Sequence, residues 1–145
     1  MPDQDKPKVL FLCTGNSCRS QMAEAWLRIL GGNHFDVISA GLEPHGVNLY
    51  TITVMEEAGV DISRHRSKHI EEYIGKVEFK YLITVCGNAD ERCPVFPGMG
   101  IRQHWPFEDP AAFTGPEEEK LALFRQVRDQ IKVKIQTWLV ELQQN

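Results

Sequence analysis

No apolar run in this 145-residue chain approaches the roughly 20 residues that a helix needs to cross a bilayer, so no helical membrane span is expected. The opening stretch Met1-Pro2-Asp3-Gln4-Asp5-Lys6-Pro7 has no apolar segment of the kind a secretory signal carries, which makes the cytoplasm the expected compartment. Positive charge is not in excess either. Sixteen Lys and Arg against 20 Asp and Glu give a net charge of -4, which argues against a nucleic-acid partner and requires any bound anion to be held by a local site. Cysteine is limited to four residues, spaced Cys13-x4-Cys18 and Cys86-x6-Cys93, without the two close pairs of a zinc knuckle. The five His are scattered, so neither a metal nor any other cofactor is expected. Structural disulfides are rare where thiols are kept reduced, which leaves redox chemistry to account for the cysteines. Repeats, low-complexity segments and linkers are lacking as well.

What is present suits one domain over residues 1–145, expected to act as a monomer. Three Trp and seven Phe, with 42% hydrophobic residues, are too many for a disordered chain, and the length supports one core. Lys8-Val9-Leu10-Phe11-Leu12 reads as a buried strand running into Cys13-Thr14-Gly15-Asn16-Ser17, after which Met22, Ala23, Trp26, Leu27 and Leu30 have helical spacing. Gly31-Gly32-Asn33 stops that helix, and Phe35 to Ala40 is a second strand closed by Gly41. Asn48 to Ala58 and, more briefly, His69 to Ile74 read as helices. Tyr81-Leu82-Ile83-Thr84-Val85 is a buried strand ending at Cys86, Gly87 to Gly100 a loop with a turn or two of helix, and Ile101 to Phe107 a short fourth strand. From Pro116, Leu121, Phe124, Val127, Ile131, Ile135, Trp138, Leu139 and Leu142 recur at gaps of three and four, the stripe of a long C-terminal helix. Strands alternating with helices give an α/β class: a four-stranded parallel sheet in a three-layer α/β/α arrangement, with ligands at the carboxyl ends of the strands.

The chemistry is concentrated in Cys13-Thr14-Gly15-Asn16-Ser17-Cys18-Arg19-Ser20. Between a strand and a helix, its consecutive backbone N–H groups and the helix N-terminus can point at one tetrahedral anion. Gly15 and Asn16 tolerate the positive φ of such a cradle, and Arg19 can grip two oxygens. The same positive field favours the thiolate of Cys13, with Ser17 expected to donate a hydrogen bond to its sulfur. The plainer alternative is a strand-end cysteine followed by a surface cation. The stretch resembles the phosphate-binding loop of the low-molecular-weight protein tyrosine phosphatases and of the arsenate reductases that share their fold. That resemblance implies roles for Cys13, Arg19 and Ser20 in catalysis, for residues 14 to 19 in binding the oxyanion, and for Asp109 of Asp109-Pro110 as the acid that protonates a departing oxygen.

A phosphatase of this design needs one cysteine, whereas two-electron reduction of arsenate must leave a disulfide. Cys13 and Cys86 each follow a predicted strand, and parallel neighbouring strands would put both thiols at one sheet edge. If Gly87 to Arg92 is helical, the Cα atoms of Cys86 and Cys93 lie about 10 Å apart, beyond the roughly 4.4 to 6.8 Å of a disulfide. Bond formation would then require unwinding, eased by Gly87, Pro94, Pro97, Gly98 and Gly100.

Val85-Cys86-Gly87-Asn88-Ala89-Asp90-Glu91-Arg92-Cys93-Pro94 resembles the redox segment of thioredoxin-coupled arsenate reductases. Gln21-Met22-Ala23-Glu24, Ser39-Ala40-Gly41, His45-Gly46-Val47-Asn48 and His104-Trp105 extend the resemblance from Lys8 nearly to the C-terminus. It implies attack of Cys13 on arsenate, then a Cys13–Cys86 and a Cys86–Cys93 disulfide, with thioredoxin as reductant and phosphate or sulfate as competing oxyanions. Cys18 has no required part and is a candidate for off-path oxidation. Some relatives bind potassium through residues matching Asn16, Glu24 and Ser39 plus an Asp; Lys68 stands at that Asp position, so no potassium is expected. A weak phosphatase side activity is expected of the same loop. Two other readings are a phosphatase acting on phosphotyrosine or a small phosphate ester through Cys13, Arg19 and Asp109 alone, disfavoured by Ala111 and Ala112 where phosphatases carry tyrosines, and a non-catalytic oxyanion or redox-sensing domain.

Overall fold

The computed structural model describes residues 6–93 and 98–144. The expectations resting on Pro94, Pro97 and residues 1–5 lie outside them. In chain order the elements are β1 (Lys8–Cys13), α1 (Arg19–Gly31), β2 (Asp36–Gly41), α2 (Leu49–Glu57), a 3-10 turn (Ile70–Glu72), β3 (Tyr81–Thr84), α3 (Gly87–Arg92), β4 (Ile101–His104), a second 3-10 turn (Pro110–Ala112) and α4 (Glu117–Gln143). The strands form one sheet in the order β2-β1-β3-β4, and all three pairings are parallel. The fold class read from the sequence is therefore the observed one.

Strand length follows local chemistry. β1 is central and apolar, and Val9, Leu10, Phe11 and Leu12 are fully buried, as a strand covered on both faces demands. β4 ends at His104 rather than running to Phe107. Trp105 still donates its amide to the Thr84 carbonyl at 2.8 Å, but Thr84, the partner of His104, is the last residue of β3, so no strand continues alongside. β3 likewise stops at Thr84, although the Val85 amide still reaches the Leu12 carbonyl at 2.9 Å and aims the chain so that Cys86 emerges at the edge where Cys13 ends β1. The expected helix over His69 to Ile74 shortens to the turn Ile70–Glu72.

α4 carries Phe124, Val127, Ile131, Ile135 and Trp138 on its buried face. It packs against α1, where the Trp26 indole N–H donates to the Arg128 carbonyl at 3.1 Å. Trp138 packs edge-on to Trp105 and Tyr81 with ring centroids 5.4 and 5.1 Å away, joining the helix to the sheet. Glu117, Glu118 and Glu119 occupy the first turn, where the helix dipole favours acid. This packing leaves the carboxyl ends of β1 and β3 to be built into a site by the loops that follow them.

Candidate active site

The loop between β1 and α1 is shaped by where its carbonyls go. The Cys13 carbonyl accepts from the Leu42 amide, Thr14 from Glu43, Gly15 from His45 and Ser17 from Asn48, at 2.8 to 3.3 Å. The Asn16 carbonyl takes the Ser67 hydroxyl at 2.7 Å and the Gln21 side chain at 3.2 Å, and the Cys18 carbonyl takes the Met22 amide at 2.9 Å. A trans peptide points its N–H opposite its C=O. Anchoring each carbonyl on the segment 42–48, or on the helix behind, thus turns the intervening amides toward the concave side. Gly41 permits this close approach, because a Cβ there would stand 2.6 Å from the Thr14 carbonyl oxygen and 2.8 Å from the Asn16 nitrogen.

Of the two residues expected to take positive φ, only Asn16 does, at 48°. Gly15 is used for its missing side chain instead: a Cβ would meet the His45 ring at 2.5 Å. Asn16 is fully buried and forms the hub beneath the loop. Its Nδ2 donates to Ser20 Oγ and Ser39 Oγ, both at 2.9 Å, while its Oδ1 accepts from the Lys68 amide at 2.8 Å and Gln21 Nε2 at 3.0 Å. The Ser39 hydroxyl donates to Glu24 Oε1 at 2.5 Å, and the Lys68 ammonium lies 3.5 Å from the same oxygen and 3.1 Å from the Arg66 carbonyl. Burial lowers the Lys68 pKa, and the Glu24 carboxylate opposes that shift. A cation supplied by the chain itself therefore occupies this polar cluster.

Cys13 is 3% exposed, and its Sγ receives the Asn16 amide at 3.2 Å and lies 2.8 Å from Ser20 Oγ. Ser17, the hydroxyl expected at this sulfur, is not the one that reaches it. The Ser17 hydroxyl contacts Cys18 Sγ at 3.4 Å, and Ser20, one turn into α1, supplies the hydroxyl at Cys13. Side chains of helical residues lean back toward the N-terminus, which brings residue 20 rather than 17 under the loop. Burial pushes the Cys18 thiol up, which keeps it protonated, and the Ser17 contact only partly offsets this.

Cys13, Thr14, Gly15, Ser17, Cys18 and Arg19 line a cavity of about 230 Å³ together with His45, Asp109 and Ala111. Asn16 and Ser20 stand behind the wall. Arg19 Nη1 donates to the Phe107 carbonyl at 3.0 Å, and its Nη2 is 3.6 Å from Asp109 Oδ2. Asp109 caps its own 3-10 turn, Oδ1 accepting from the Ala111 amide at 3.0 Å, so the second oxygen is held toward the cavity. The geometry thus gathers a thiol, a guanidinium, a carboxyl group and a ring of amides around a space fit for a tetrahedral oxyanion.

All four cysteines are buried, and no disulfide joins any two of them. Cys86 caps α3, its Sγ accepting from the Ala89 amide at 3.4 Å and lying 3.3 Å from Thr14 Oγ1. Asn88 donates to the same Thr14 hydroxyl at 2.7 Å, and Arg92 pairs with Glu43 at 2.5 Å, so α3 forms one wall beside the Cys13–Ser20 loop. Cys93 stands at the far end of α3 as its C-cap. His45 and Ala111 were not singled out from the sequence as site residues. The motif containing His45 was visible, but the backbone pairing that carries it to Gly15 is a long-range contact with no local signature.

The model of the family described as low molecular weight phosphotyrosine protein phosphatase matches residues 8–145. An arsenate reductase of Halalkalibacterium halodurans is 47% identical over 135 residues, covering 92% of this chain and 96% of its own. A solved arsenate reductase in the phosphate binding state superposes with a TM-score of 0.73 at 36% identity, over 93% of this chain and 98% of that one. A thioredoxin-dependent arsenate reductase of Corynebacterium glutamicum gives 0.69 at 26% identity, over 95% of this chain and 62% of its own.

Proposed function

The chain belongs to the low molecular weight phosphotyrosine protein phosphatase family, alongside its arsenate reductase members, and from that premise we propose that it reduces arsenate to arsenite by a relay of three thiols. The observation that carries this reading is the position of Cys86: its sulfur touches Thr14 of the loop that holds Cys13 at its base. A hydrolase has no use for a second thiol there.

Arsenate is held by Arg19 and the amides of residues 14 to 19, the same contacts by which phosphate or sulfate would compete. Cys13 Sγ attacks arsenic while Asp109 gives its proton to the departing oxygen, which leaves as water. Ser20 steadies the Cys13 thiolate. Cys86 Sγ then attacks Cys13 Sγ, forming a Cys13–Cys86 bond and breaking the sulfur–arsenic bond. The bonding pair stays on arsenic, so arsenic is reduced and arsenite departs. Cys93 attacks Cys86 next, restoring the Cys13 thiolate and leaving Cys86–Cys93. An external dithiol, thioredoxin, takes up that oxidation by exchange. The cavity admits phosphate as readily as arsenate, so slow hydrolysis of small aryl phosphates accompanies the main reaction. Ala111 at the rim offers no aromatic surface for a phosphotyrosine ring.

The test is arsenite release from the reduced chain, first without and then with thioredoxin. One arsenite per chain and a Cys86–Cys93 disulfide, with turnover only when thioredoxin is added, is the expected result. Steady hydrolysis of an aryl phosphate with no arsenite would overturn it.

A further inference from the structure

α3 spans Gly87–Arg92, between the two cysteines whose bond closes the relay. With that helix wound, seven steps of 1.5 Å separate Cys86 and Cys93 by about 10 Å. A disulfide spans at most roughly 6.8 Å between Cα atoms. The wound segment and the Cys86–Cys93 bond are therefore mutually exclusive. A helix of six residues has no stability of its own in water, so contacts from outside must hold it.

Most of those contacts converge on its last turn. Arg102, from β4, donates to the Asp90 carbonyl, to the Cys93 carbonyl at 3.2 Å and to Asp90 Oδ1 at 3.3 Å. One guanidinium thus satisfies carbonyls that a helix end leaves without partners. From β3, the buried Thr84 donates its hydroxyl proton to Asp90 Oδ1 at 3.0 Å and is left to accept from His104 Nδ1 at 2.8 Å. Asp90 is thereby gripped from two adjacent strands. Burial works against its charge, but the hydrogen bonds from Thr84 and Arg102 and the nearby His104 outweigh it and hold the carboxyl below its usual range. At Cys93 burial raises the thiol pKa, partly offset by Arg102, so the wound state keeps that thiol protonated and poor as a nucleophile.

We propose that Arg102 and Asp90 form a clasp that keeps the redox segment wound, withholding Cys93 from Cys86 until the clasp opens. Arg102 is then a positioning residue for the last thiol exchange, and the proposal rests on the three-thiol relay. Opening the clasp frees the last-turn carbonyls, lets α3 unwind and exposes Cys93, which makes the order of the exchanges a property of the fold. Asn88–Thr14 fastens α3 to the Cys13–Ser20 loop and Arg92–Glu43 to the segment that braces it, and a change at Cys86 reaches Asn88 through the shared Thr14 hydroxyl.

The experiment uses the full chain carrying Cys13→Ser, treated with diamide. Diamide adds to one thiol of the Cys86/Cys93 pair; attack by the other forms the disulfide, and diamide leaves as the hydrazine. Arg102→Gln and Asp90→Asn should each speed formation of Cys86–Cys93 by about tenfold or more, because each removes charge-assisted hydrogen bonds, and Arg102→Lys should restore part of the delay. Hydrogen exchange of the α3 amides should accelerate in the same variants while the β1 and β3 amides do not change. In the chain with Cys13 intact, formation of Cys13–Cys86 after arsenate is added should keep its rate. Unchanged closure across the Arg102 and Asp90 variants, with unchanged α3 exchange, overturns the clasp alone. Absence of a Cys86–Cys93 bond in every variant and the parent overturns the clasp and the relay together.

Discussion

Arg19 Nη2 stands 3.6 Å from Asp109 Oδ2, so the guanidinium proposed to grip the oxyanion and the carboxyl group proposed as the acid face each other in the wall of one cavity. The contact is loose for a charge-assisted pair, and Arg19 is better anchored on the Phe107 carbonyl at 3.0 Å. An entering oxyanion can therefore take the place of Asp109 on the guanidinium while the arginine keeps its orientation. The displaced carboxyl group is still tethered through Oδ1 to the Ala111 amide.

Asp109→Asn preserves that tether, since the amide oxygen accepts from Ala111 as the carboxylate did, but it has no proton to give. Arsenite release in a single turnover should fall by about 10² to 10⁴, the usual worth of a general acid. Diamide-driven closure of Cys86–Cys93 should keep its rate, because Asp109 touches neither thiol. A loss of less than a few-fold would remove Asp109 from the acid role.

The two serines near Cys13 separate what the sequence proposed from what the fold provides. Ser20→Ala removes the hydroxyl 2.8 Å from Cys13 Sγ and should slow both alkylation of Cys13 and arsenite release about tenfold or more, as expected for one hydrogen bond to a charged group. Ser17→Ala should leave Cys13 alkylation within about twofold, because its hydroxyl faces Cys18 and a neutral contact of that length is weak. Iodoacetamide labelling followed by peptide mass mapping distinguishes the two sites. The reverse ranking would make Ser17 the hydroxyl that acts on Cys13.

That contrast marks where the sequence stops being legible. The parallel four-stranded sheet, the strand-to-helix loop and the α4 stripe from Phe124 to Trp138 follow from periodicity, because burial on one face imprints itself every two or three to four residues. Cys13, Arg19 and Cys86 were legible for a related reason: each stands where a strand or helix begins or ends. Which serine lies under the sulfur depends on the direction of α1 and could not be read from spacing alone. His45, Arg102 and the Asn16 hub depend on contacts across 30, 12 and 52 residues, to Gly15, Asp90 and Lys68. Long-range hydrogen bonds leave no periodic trace, so the grouping of Asn16, Glu24, Ser39 and Lys68 is legible only through the resemblance, and the places of His45 and Arg102 only in three dimensions.

Asn16 tests whether that polar hub supports the loop or merely accompanies it. Its φ of 48° favours Gly or Asn, and its side chain partners the buried Ser20, Ser39 and Gln21 and the amide of the half-buried Lys68. Asn16→Gly keeps the backbone conformation and deletes only the side-chain bonds. It should cost at least about 2 kcal/mol, because buried donors and acceptors are left without partners. Asn16→Ala loses the same bonds and adds the left-handed strain, roughly 1 kcal/mol more. Urea unfolding at constant slope measures both. Because Asn16 Nδ2 also fixes Ser20 Oγ, the two variants should slow Cys13 alkylation to a similar extent despite their different stabilities. If Asn16→Gly unfolds at the parent midpoint, the hub contributes nothing to the fold. If only Asn16→Ala slows alkylation, the backbone turn and not the hydrogen bonds positions Cys13.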